Sequence, residues 1–291
     1  MKIAIFGSTG LLGKALAKKY KENELKLFSR TEIDNKQKFV IDYMNIENEL
    51  ENFFDNWKPD IIINTIAIVD LKYCEENLKE AKYVNSIIAE SLAKVAKKYN
   101  AYFIHISTDH FFSDSLKYHN ENASVKILNN YAETKFEAEK KVLQEYKKSL
   151  IVRTNILGFR YSKKKSFFEW LLFALENKEE ISLFNDFVTS PISVNLLSNI
   201  LLLCKKSNLS GIYNISSSEA IDKYSFGYKV AKRFNLSFEN VKMRKTIQSD
   251  IKRAITLGLD VSKIEKALNI KMPTIDETIE SLYREYKKGK E

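Results

Sequence analysis

Tyr131 and Lys135 are the first residues in this chain whose types and spacing suggest chemistry. They stand four positions apart in Tyr131-Ala132-Glu133-Thr134-Lys135, so on a helix both side chains lie on one face. A neighbouring ammonium stabilises a phenolate, which prepares a tyrosine to give a proton to a carbonyl oxygen or to take one from an alcohol. The chain has 15 tyrosines and many lysines, so the pair taken alone is best explained as an exposed pair on an amphipathic helix.

A hydroxyl at the end of a buried strand is the second candidate. The apolar run Tyr102–Ser107 predicts a strand, and Thr108 follows at its carboxyl end. A hydroxyl in that position can hydrogen-bond a substrate carbonyl and support developing oxyanion charge. The competing interpretation is a turn in which Thr108 or Asp109 satisfies backbone amides. His105, inside the strand pattern, is predicted to be a core residue rather than a catalytic one.

The amino terminus carries a glycine-rich turn between an apolar strand and a helix pattern. Three of the eight glycines lie in Gly7-Ser8-Thr9-Gly10-Leu11-Leu12-Gly13. Such a turn lets backbone N–H groups approach a pyrophosphate at a helix N-terminus. The spacing is G-x-x-G-x-x-G rather than the G-x-G-x-x-G fingerprint, and a purely structural turn is the alternative. Its place between the first strand and the first helix favours a bound dinucleotide.

The end of the second predicted strand bears on which dinucleotide binds. NAD-selective sites place Asp or Glu there, against the ribose 2′-hydroxyl. This chain has Ser29 and Arg30 instead, and arginine engages phosphate in a bidentate way. The residues therefore favour NADPH and leave NADH open. The alternative is that Arg30 is a surface loop residue without a role in cofactor binding.

These residues need an alternating scaffold to position them, and the first half of the chain has one. Nearly continuous aliphatic strands indicate a parallel sheet covered on both faces, and the helices between them imply right-handed crossovers. The predicted fold class is α/β, a Rossmann-type doubly wound parallel sheet with a crevice at the carboxyl ends of its strands. The predicted strands are Ile3–Phe6, Leu25–Phe28, Phe39–Ile41, Ile61–Asn64, Tyr102–Ser107 and Leu150–Thr154, and the helices are Leu11–Tyr20, Ile46–Asn56, Ile87–Tyr99 and Tyr131–Tyr146.

The pattern changes near residue 155. We predict a dinucleotide-binding domain at residues 1–155 and a smaller, mostly helical substrate-binding domain at residues 156–291, with some later segments returning to the main sheet. The predicted elements of this part are helices at Phe167–Glu176, Leu196–Lys205, Lys223–Phe234 and Thr274–Tyr286, and isolated strands at Ile181–Phe184 and Ile212–Ile215.

Composition and charge argue against several classes of protein. The net charge is +9, from 47 Lys and Arg against 38 Asp and Glu, but the lysines are dispersed, which argues against nucleic-acid binding and suits an anionic substrate. Charged residues interrupt every apolar run, so we expect no membrane span and no secretory signal. Cys74 and Cys204 lack metal-ligand spacing, which predicts no metal and a reducing cytoplasm.

The glycine turn, the strand-end hydroxyl and Tyr-x-x-x-Lys occur in the order typical of extended short-chain dehydrogenase/reductases. Over nearly its whole length the chain resembles the dTDP-4-dehydrorhamnose reductase branch and its sugar-nucleotide-binding relatives. The segments that carry the resemblance are Gly7–Gly13, Lys58–Asn64, Cys74-Glu75, Val84-Asn85, Ser107-Thr108-Asp109, Tyr131–Lys135 with Glu139, Ile151–Thr154, Asn185-Asp186, Gly211–Asn214 and Arg253.

The resemblance implies NAD(P)H-dependent reduction of a keto group, at C4, on a nucleotide-activated deoxysugar for surface polysaccharide synthesis. Tyr131 is then the general acid, Lys135 orients the nicotinamide ribose, and Thr108 hydrogen-bonds the reacting oxygen. The expected cofactor-binding residues are Gly7, Thr9, Gly10, Leu11, Leu12, Gly13, Ser29, Arg30, Asp42, Tyr43, Ala67, Tyr131 and Lys135. The expected substrate-binding residues are Thr108, Asn155 and Arg253.

The sequence departs from that branch on the sugar side. Asn155 and Ile156 stand where a tryptophan is common, Lys72 replaces an aspartate before Cys74, and Ala254 replaces a proline after Arg253. An intact catalytic set with an altered sugar-side set fits a reductase acting on a different 4-keto sugar nucleotide.

Two other functions stay open. One is a sugar-nucleotide epimerase or dehydratase of the same superfamily, although Asp109 is not followed by the glutamate expected of a dehydratase. The other is a non-catalytic dinucleotide-binding subunit that regulates another enzyme, which would not need Thr108, Tyr131 and Lys135. The superfamily also suggests a homodimer, paired through helices such as Ile87–Lys98 and Tyr131–Tyr146.

Overall fold

The structure, a computed structural model, describes residues 1–30, 38–40, 42, 45–112, 117–162, 164–246, 252 and 254–289. The chain divides into two units. The first comprises residues 1–108, 127–153 and 201–213, and the second comprises residues 109–126, 154–200 and 214–291. This division differs from a single boundary at residue 155, because residues 109–126 group with the second unit and residues 201–213 with the first.

A seven-stranded sheet forms the centre of the first unit. With strands numbered in chain order, it contains β1 (Lys2–Phe6), β2 (Glu24–Ser29), β3 (Lys38–Val40), β4 (Ile61–Asn64), β5 (Tyr102–Ile106), β6 (Leu150–Arg153) and β11 (Gly211–Asn214). The spatial order is β11-β6-β5-β4-β1-β2-β3. Strands β1 to β6 pair in parallel. The order reverses between β1 and β4, which is the position where doubly wound sheets bind their ligands.

Helices connect these strands and cover the sheet. They are α1 (Leu11–Lys19), α2 (Ile46–Trp57), α3 (Leu71–Glu76), α4 (Leu78–Lys82), α5 (Ile88–Lys98) and α6 (Asn130–Glu145), with a π-helical turn at Tyr83–Ile87 between α4 and α5. The main core of the unit packs strand residues such as Ile62 and Phe103 against Phe54, Leu92 and Ala138 of three helices. The strands are apolar on both faces because helices cover both.

The second unit is built from helices and very short strands. The remaining helices of the chain are α7 (Phe167–Glu176), α8 (Val194–Lys206), α9 (Lys223–Phe234), α10 (Ser262–Leu268) and α11 (Ile275–Lys288). The strands are β7 (Ile156–Leu157), β8 (Ile181–Phe184), β9 (Val188–Thr189), β10 (Ile192–Ser193), β12 (Ile221–Asp222), β13 (Val241–Arg244) and β14 (Thr256–Leu257). Apolar side chains of α7, α9 and α11, among them Phe168, Phe226 and Ile279, form its core.

The predicted Rossmann-type fold is confirmed, and two strand interpretations are corrected. The segment Ile181–Phe184 is not isolated, because it pairs in parallel with β13. The segment predicted at Ile212–Ile215 is β11, which joins the edge of the main sheet beside β6. Residue 41, at the end of the third predicted strand, lies outside the described residues. Over the described part of the chain, no helix combines the length and apolar character needed to cross a membrane.

Candidate active site

The glycine turn between β1 and α1 is packed more closely than side chains would allow. Gly7 has φ +80°, in the region that favours glycine, and a β-carbon there would lie 2.6 Å from Oγ1 of Thr65. A β-carbon on Gly13 would lie 2.3 Å from the carbonyl oxygen of Gly7. The turn therefore brings bare backbone to the start of α1, as a pyrophosphate cradle requires.

Helix α1 begins at this turn with its N-terminal groups facing outward. Within the described residues, no side chain caps the helix at Gly10, and its first turn, Leu11-Leu12-Gly13, carries no acidic residue. Thr9 and Gly10 are exposed, while Leu12 and Gly13 are buried. The positive end of the helix dipole is thus free of competing side-chain anions, which fits a bound phosphate group.

The end of β2 lies beside the same turn. The N–H groups of Gly7 and Ser8 both donate to the carbonyl oxygen of Phe28, at 3.1 Å each. Ser29 is buried and Arg30 is exposed. Arg30 thus follows the strand end that contacts the glycine turn, and its role toward a 2′-phosphate stays a prediction.

The loop after β4 forms another wall of this edge. The Thr65 hydroxyl donates to the Phe6 carbonyl oxygen at 2.8 Å, and the Thr65 N–H donates to the same oxygen at 3.0 Å. The half-buried Ala67 follows two residues later. The carboxyl ends of β1, β2 and β4 therefore converge on the glycine turn.

Asn85 fixes the rest of that loop to helix α6. It lies in the π-helical turn Tyr83–Ile87 and is fully buried. Its Oδ1 accepts from the Ile68 N–H at 2.7 Å, and its Nδ2 donates to the Ile68 carbonyl and to Thr134 Oγ1, both at 3.0 Å. Single π-turns in helices occur often at functional sites, and here the turn joins the β4 loop to the helix that carries Tyr131.

The start of α6 is held on two sides, which positions Tyr131 in its first turn. The Asn129 side chain caps the helix by accepting from the Ala132 N–H at 2.9 Å. Glu75 accepts from the Asn130 N–H at 2.8 Å. Tyr131 is 8% exposed.

The Tyr131 ring lies in a small apolar cluster. Its buried partners there are Cys74 and Ala81, and the partly buried Ile68 packs against the cluster. Burial raises the pKa of the Cys74 thiol to about 11, so this cysteine is an inert packing group. The exposed-pair interpretation of Tyr131 and Lys135 is therefore wrong, because both side chains are buried.

Lys135 is a buried amine one helical turn beyond Tyr131. Its side chain is 1% exposed, and Nζ lies 2.8 Å from the carbonyl oxygen of Ile106 in β5 and 3.2 Å from Nε2 of His105. Burial lowers the pKa of Lys135 to about 8, although the Glu139 carboxylate opposes this effect. The pKa lies near the operating range of a proton-transfer site.

His105 connects Lys135 to the end of β4. The ring is fully buried, and its Nδ1 lies 3.1 Å from Nδ2 of Asn64. Oδ1 of Asn64 accepts from the Ile66 N–H at 3.0 Å. Burial, with Lys135 nearby, holds the pKa of His105 well below its usual range. His105 is a core residue, as predicted, but it also contacts the candidate catalytic lysine.

A second buried polar group supports the end of β5. The Ser107 hydroxyl donates to Oε1 of Glu139 at 2.6 Å, and Arg153 donates to both carboxylate oxygens, with Nη2 2.7 Å from Oε2. All three residues are buried. Thr108, 4% exposed, follows directly, so the buried ion pair fixes the backbone that carries its hydroxyl.

The sequence carries part of the signal for these two contacts. His105 and Ser107 are alternate residues of a strand, and Lys135 and Glu139 are four apart on a helix. Each pair repeats at the period of its own element, so His105 and Ser107 lie on one side of the strand and Lys135 and Glu139 on one face of the helix. His-x-Ser and Lys-x-x-x-Glu thus indicate two polar faces, and the tertiary structure decides that they meet.

The remaining predicted residues lie in the first unit, in the second unit or outside the described residues. Asn155 lies in the second unit, where its Nδ2 donates to Oδ2 of the buried Asp109 at 2.9 Å. Asp42 is exposed. Tyr43 and Arg253 lie outside the described residues. Across the described ranges, no group of three or more His, Cys, Asp or Glu side chains is arranged to hold a metal ion.

The strand order and the glycine turn before α1 define the class: a Rossmann-type α/β protein of the dinucleotide-binding kind. A family model described as RmlD substrate binding domain matches residues 1–288. The chain belongs to this family.

Two of the similar proteins differ in their stated roles. The chain is 26% identical over 270 residues to methionine adenosyltransferase 2 subunit beta of Xenopus laevis, covering 90% of this chain and 81% of that protein. It is 29% identical over 227 residues to dTDP-4-dehydrorhamnose reductase of Escherichia coli, covering 74% and 72%.

A solved structure shares the fold over almost the full length. The dTDP-4-dehydrorhamnose reductase of Bacillus anthracis, determined in complex with NADP, superposes with a TM-score of 0.85 at 22% identity. The superposition covers 98% of this chain and 99% of that one. The chain therefore shares the fold of that protein over almost its full length.

Proposed function

We propose that this protein reduces a keto group, at C4, on a nucleotide-activated deoxysugar, with NADPH as the hydride source. The observation that carries the proposal is the joint burial of Tyr131 and Lys135 on one face of α6, with Lys135 bonded to the end of the strand that leads to Thr108. A phenol, an amine and a hydroxyl meeting at the carboxyl edge of a parallel sheet would supply what carbonyl reduction needs.

The residues present fit a dinucleotide. Gly7 and Gly13 leave space where β-carbons would collide with backbone or with Thr65, and a β-carbon on Gly10 would make a tight 3.2 Å contact. The start of α1 offers N–H groups to a pyrophosphate. Together with Thr9, Leu11 and Leu12 the three glycines would hold the diphosphate. Ser29 and Arg30 would receive a 2′-phosphate, Asp42 and Tyr43 would border the adenine, and Ala67 would lie near the nicotinamide ribose.

The chain's own side chains then control one carbonyl oxygen and one proton. The cofactor, when bound, supplies hydride to the carbonyl carbon. The Thr108 hydroxyl donates a hydrogen bond to the carbonyl oxygen and supports its growing negative charge. Tyr131 gives its phenolic proton to that oxygen. Lys135 orients the ribose and sets the acidity of the Tyr131 phenol. Asn155 and Arg253 are proposed to contact the substrate.

The relatives support this assignment by their stated activities. Both the Escherichia coli relative and the superposed Bacillus anthracis protein are dTDP-4-dehydrorhamnose reductases. The altered residues at Lys72, Asn155 and Ala254 suit a different 4-keto sugar from that of the rhamnose branch. The free, buried cysteines Cys74 and Cys204 support a reducing compartment, which we take to be the cytoplasm.

A substrate screen tests the proposal. Purified protein is mixed with a panel of nucleotide 4-keto sugars and NADPH or NADH, and cofactor oxidation is followed by absorbance. We expect net oxidation of NADPH with at least one sugar, and a loss of about 100-fold or more in kcat for Tyr131→Phe with little change in NADPH affinity. Tyr146→Phe, at the other end of α6, is the control and should keep full activity. Equal turnover by Tyr131→Phe and the parent would refute the role of Tyr131.

A regulatory role is the second candidate, because one relative is a methionine adenosyltransferase subunit. Such a subunit would bind a partner enzyme in fixed ratio and turn over no keto sugar. The preserved Thr108, Tyr131 and Lys135 favour the reductase. Isolation of a stoichiometric partner complex, without oxidation of NADPH by any sugar in the panel, would favour the regulatory role instead.

A further inference from the structure

The amide of Asn64 has only one orientation that satisfies its surroundings. Its Oδ1 accepts from the backbone N–H of Ile66 at 3.0 Å, so rotating the amide would set its NH₂ group against that N–H. The NH₂ group therefore faces His105 Nδ1 at 3.1 Å. An amide NH₂ only donates, so Nδ1 of His105 must be an acceptor and carries no proton.

A neutral imidazole with a bare Nδ1 carries its proton on Nε2. That N–H faces Lys135 Nζ at 3.2 Å. An ammonium has three donors and no acceptor, so a charged Lys135 would place two donors against each other. A neutral amine accepts the bond from Nε2 and still donates to the Ile106 carbonyl oxygen at 2.8 Å.

We propose that His105 is a positioning residue: Asn64 holds it as the Nε2–H tautomer, and its N–H favours the neutral amine of Lys135 in the cofactor-free protein. Both side chains are buried, at 0% and 1% exposure, so bulk water does not relieve the conflict that an ammonium would create. Glu139, four residues further along α6, favours the ammonium of Lys135, but its carboxylate is engaged by Arg153 at 2.7 Å.

The consequence concerns the direction of the reaction and rests on the proposed function. An ammonium stabilises a phenolate and a neutral amine does not, so the His105 contact favours the protonated phenol that carbonyl reduction consumes. Burial lowers the pKa of Lys135, so it favours the neutral amine as the hydrogen bond from His105 does. Protonating Lys135 requires the His105 contact to break or the Asn64–His105 pair to rearrange.

The tautomer of His105 can be observed directly. The chain has three histidines, so ring-nitrogen NMR of the cofactor-free, ¹⁵N-histidine-labelled protein, with His105→Gln for assignment, reports which nitrogen carries the proton. We expect a protonated Nε2 and a bare Nδ1 throughout the neutral and mildly alkaline range. A protonated Nδ1, or a doubly protonated ring, would overturn the proposal.

A near-isosteric substitution tests the cause. Asn64→Asp keeps an acceptor for the Ile66 N–H and presents a second carboxylate oxygen to Nδ1, which should move the proton to Nδ1 and make Nε2 an acceptor. The proton affinity of Lys135, followed through its ¹³Cε signal, should then rise about tenfold or more. The matched control is Asn85→Asp, a buried carboxylate against α6 without contact to His105, which should leave the tautomer unchanged and raise the affinity less.

The outcomes separate this inference from the proposed function. An equal rise in the proton affinity of Lys135 in Asn64→Asp and Asn85→Asp would show that the added charge alone acts on Lys135. That result would overturn the role of His105. If a variant does not fold, the tautomer of the parent still decides. If the tautomer is as expected but no keto sugar is reduced, the proposed function fails while the assignment of His105 stands. If a sugar is reduced, the alkaline limb of the kcat/KM profile should shift with Asn64→Asp.

Discussion

The carbonyl oxygen of Gly7 lies 2.3 Å from the position that a β-carbon on Gly13 would occupy. No packed protein keeps two such atoms at that distance, so a side chain at Gly13 must push the turn apart. The same carbonyl accepts the Gly10 N–H at 2.9 Å, and displacement would therefore also disturb the entry to α1.

Gly13→Ala is expected to weaken NADPH binding by about tenfold or more and to lower the free energy of unfolding by about 1–3 kcal/mol. Cofactor titration by fluorescence and urea denaturation measure the two effects. Gly289→Ala is the control, because its β-carbon would find its nearest neighbour at 3.6 Å and should change neither quantity. Unchanged NADPH affinity in Gly13→Ala would show that the turn does not hold the cofactor.

Arg30 is expected to set the choice between the two nicotinamide cofactors. It is exposed at the end of β2, beside the glycine turn, where a guanidinium can pair with the 2′-phosphate. Arg30→Glu should lower kcat/KM for NADPH about tenfold or more and leave NADH use unchanged or improved. Lys21→Glu makes the same charge change on an exposed residue. It should leave the ratio of kcat/KM with NADPH to kcat/KM with NADH unchanged. If the ratio moves equally in both variants, general electrostatics rather than Arg30 selects the cofactor.

The buried pair of Arg153 and Glu139 is expected to dominate local stability. Arg153→Met leaves the Glu139 carboxylate buried without its cation, which should cost about 3–5 kcal/mol in the free energy of unfolding. Adding Glu139→Gln removes the stranded charge, and the amide oxygen that it introduces can still accept from Ser107, so the double variant should be more stable than Arg153→Met alone. Denaturant titrations of the singles and the double measure this.

An exposed ion pair provides the comparison. Lys242 and Glu180 are bonded at 2.9 Å with side chains 69% and 73% exposed, and Lys242→Met should cost less than about 1 kcal/mol. A loss of similar size for Arg153→Met would mean that the buried pair adds nothing beyond a surface contact.

Lys135 is expected to make stability depend on pH above neutrality. Folding lowers its pKa to about 8, against about 10.4 for a free lysine. The unfolded chain therefore binds this proton more tightly, and stability rises with pH between those two values. At neutral pH the parent carries a penalty of about 3 kcal/mol that Lys135→Met does not have.

The measurement is the difference in unfolding free energy between Lys135→Met and the parent. The stability of the parent relative to Lys135→Met should rise as pH increases from about 8 to about 10. Lys223, a lysine of the second unit whose pKa burial also lowers to about 8, is present in both proteins and cancels. A difference that stays constant over this range would contradict the lowered pKa of Lys135.

The sequence by itself determined strands β1 to β6 of the sheet and which residues are candidates for the site. Aliphatic runs such as Ile61–Asn64 and the glycine spacing of Gly7–Gly13 are local patterns, and their physical meaning does not depend on distant residues. The spacing of Tyr131 and Lys135 likewise required one shared helix face. The family resemblance drawn from these residues was confirmed by the match over residues 1–288.

Only the tertiary structure decided which of these groups are buried together. The contact between His105 and Lys135 and the ion pair of Arg153 with Glu139 join a strand to a helix across loops that carry no record of the pairing. The two-residue strands of the second unit, such as Val188–Thr189, are too short to show an alternation, and the pairing of Gly211–Asn214 with β6 depends on an open sheet edge. These features follow from desolvation and from hydrogen bonds between distant segments, which a linear pattern does not contain.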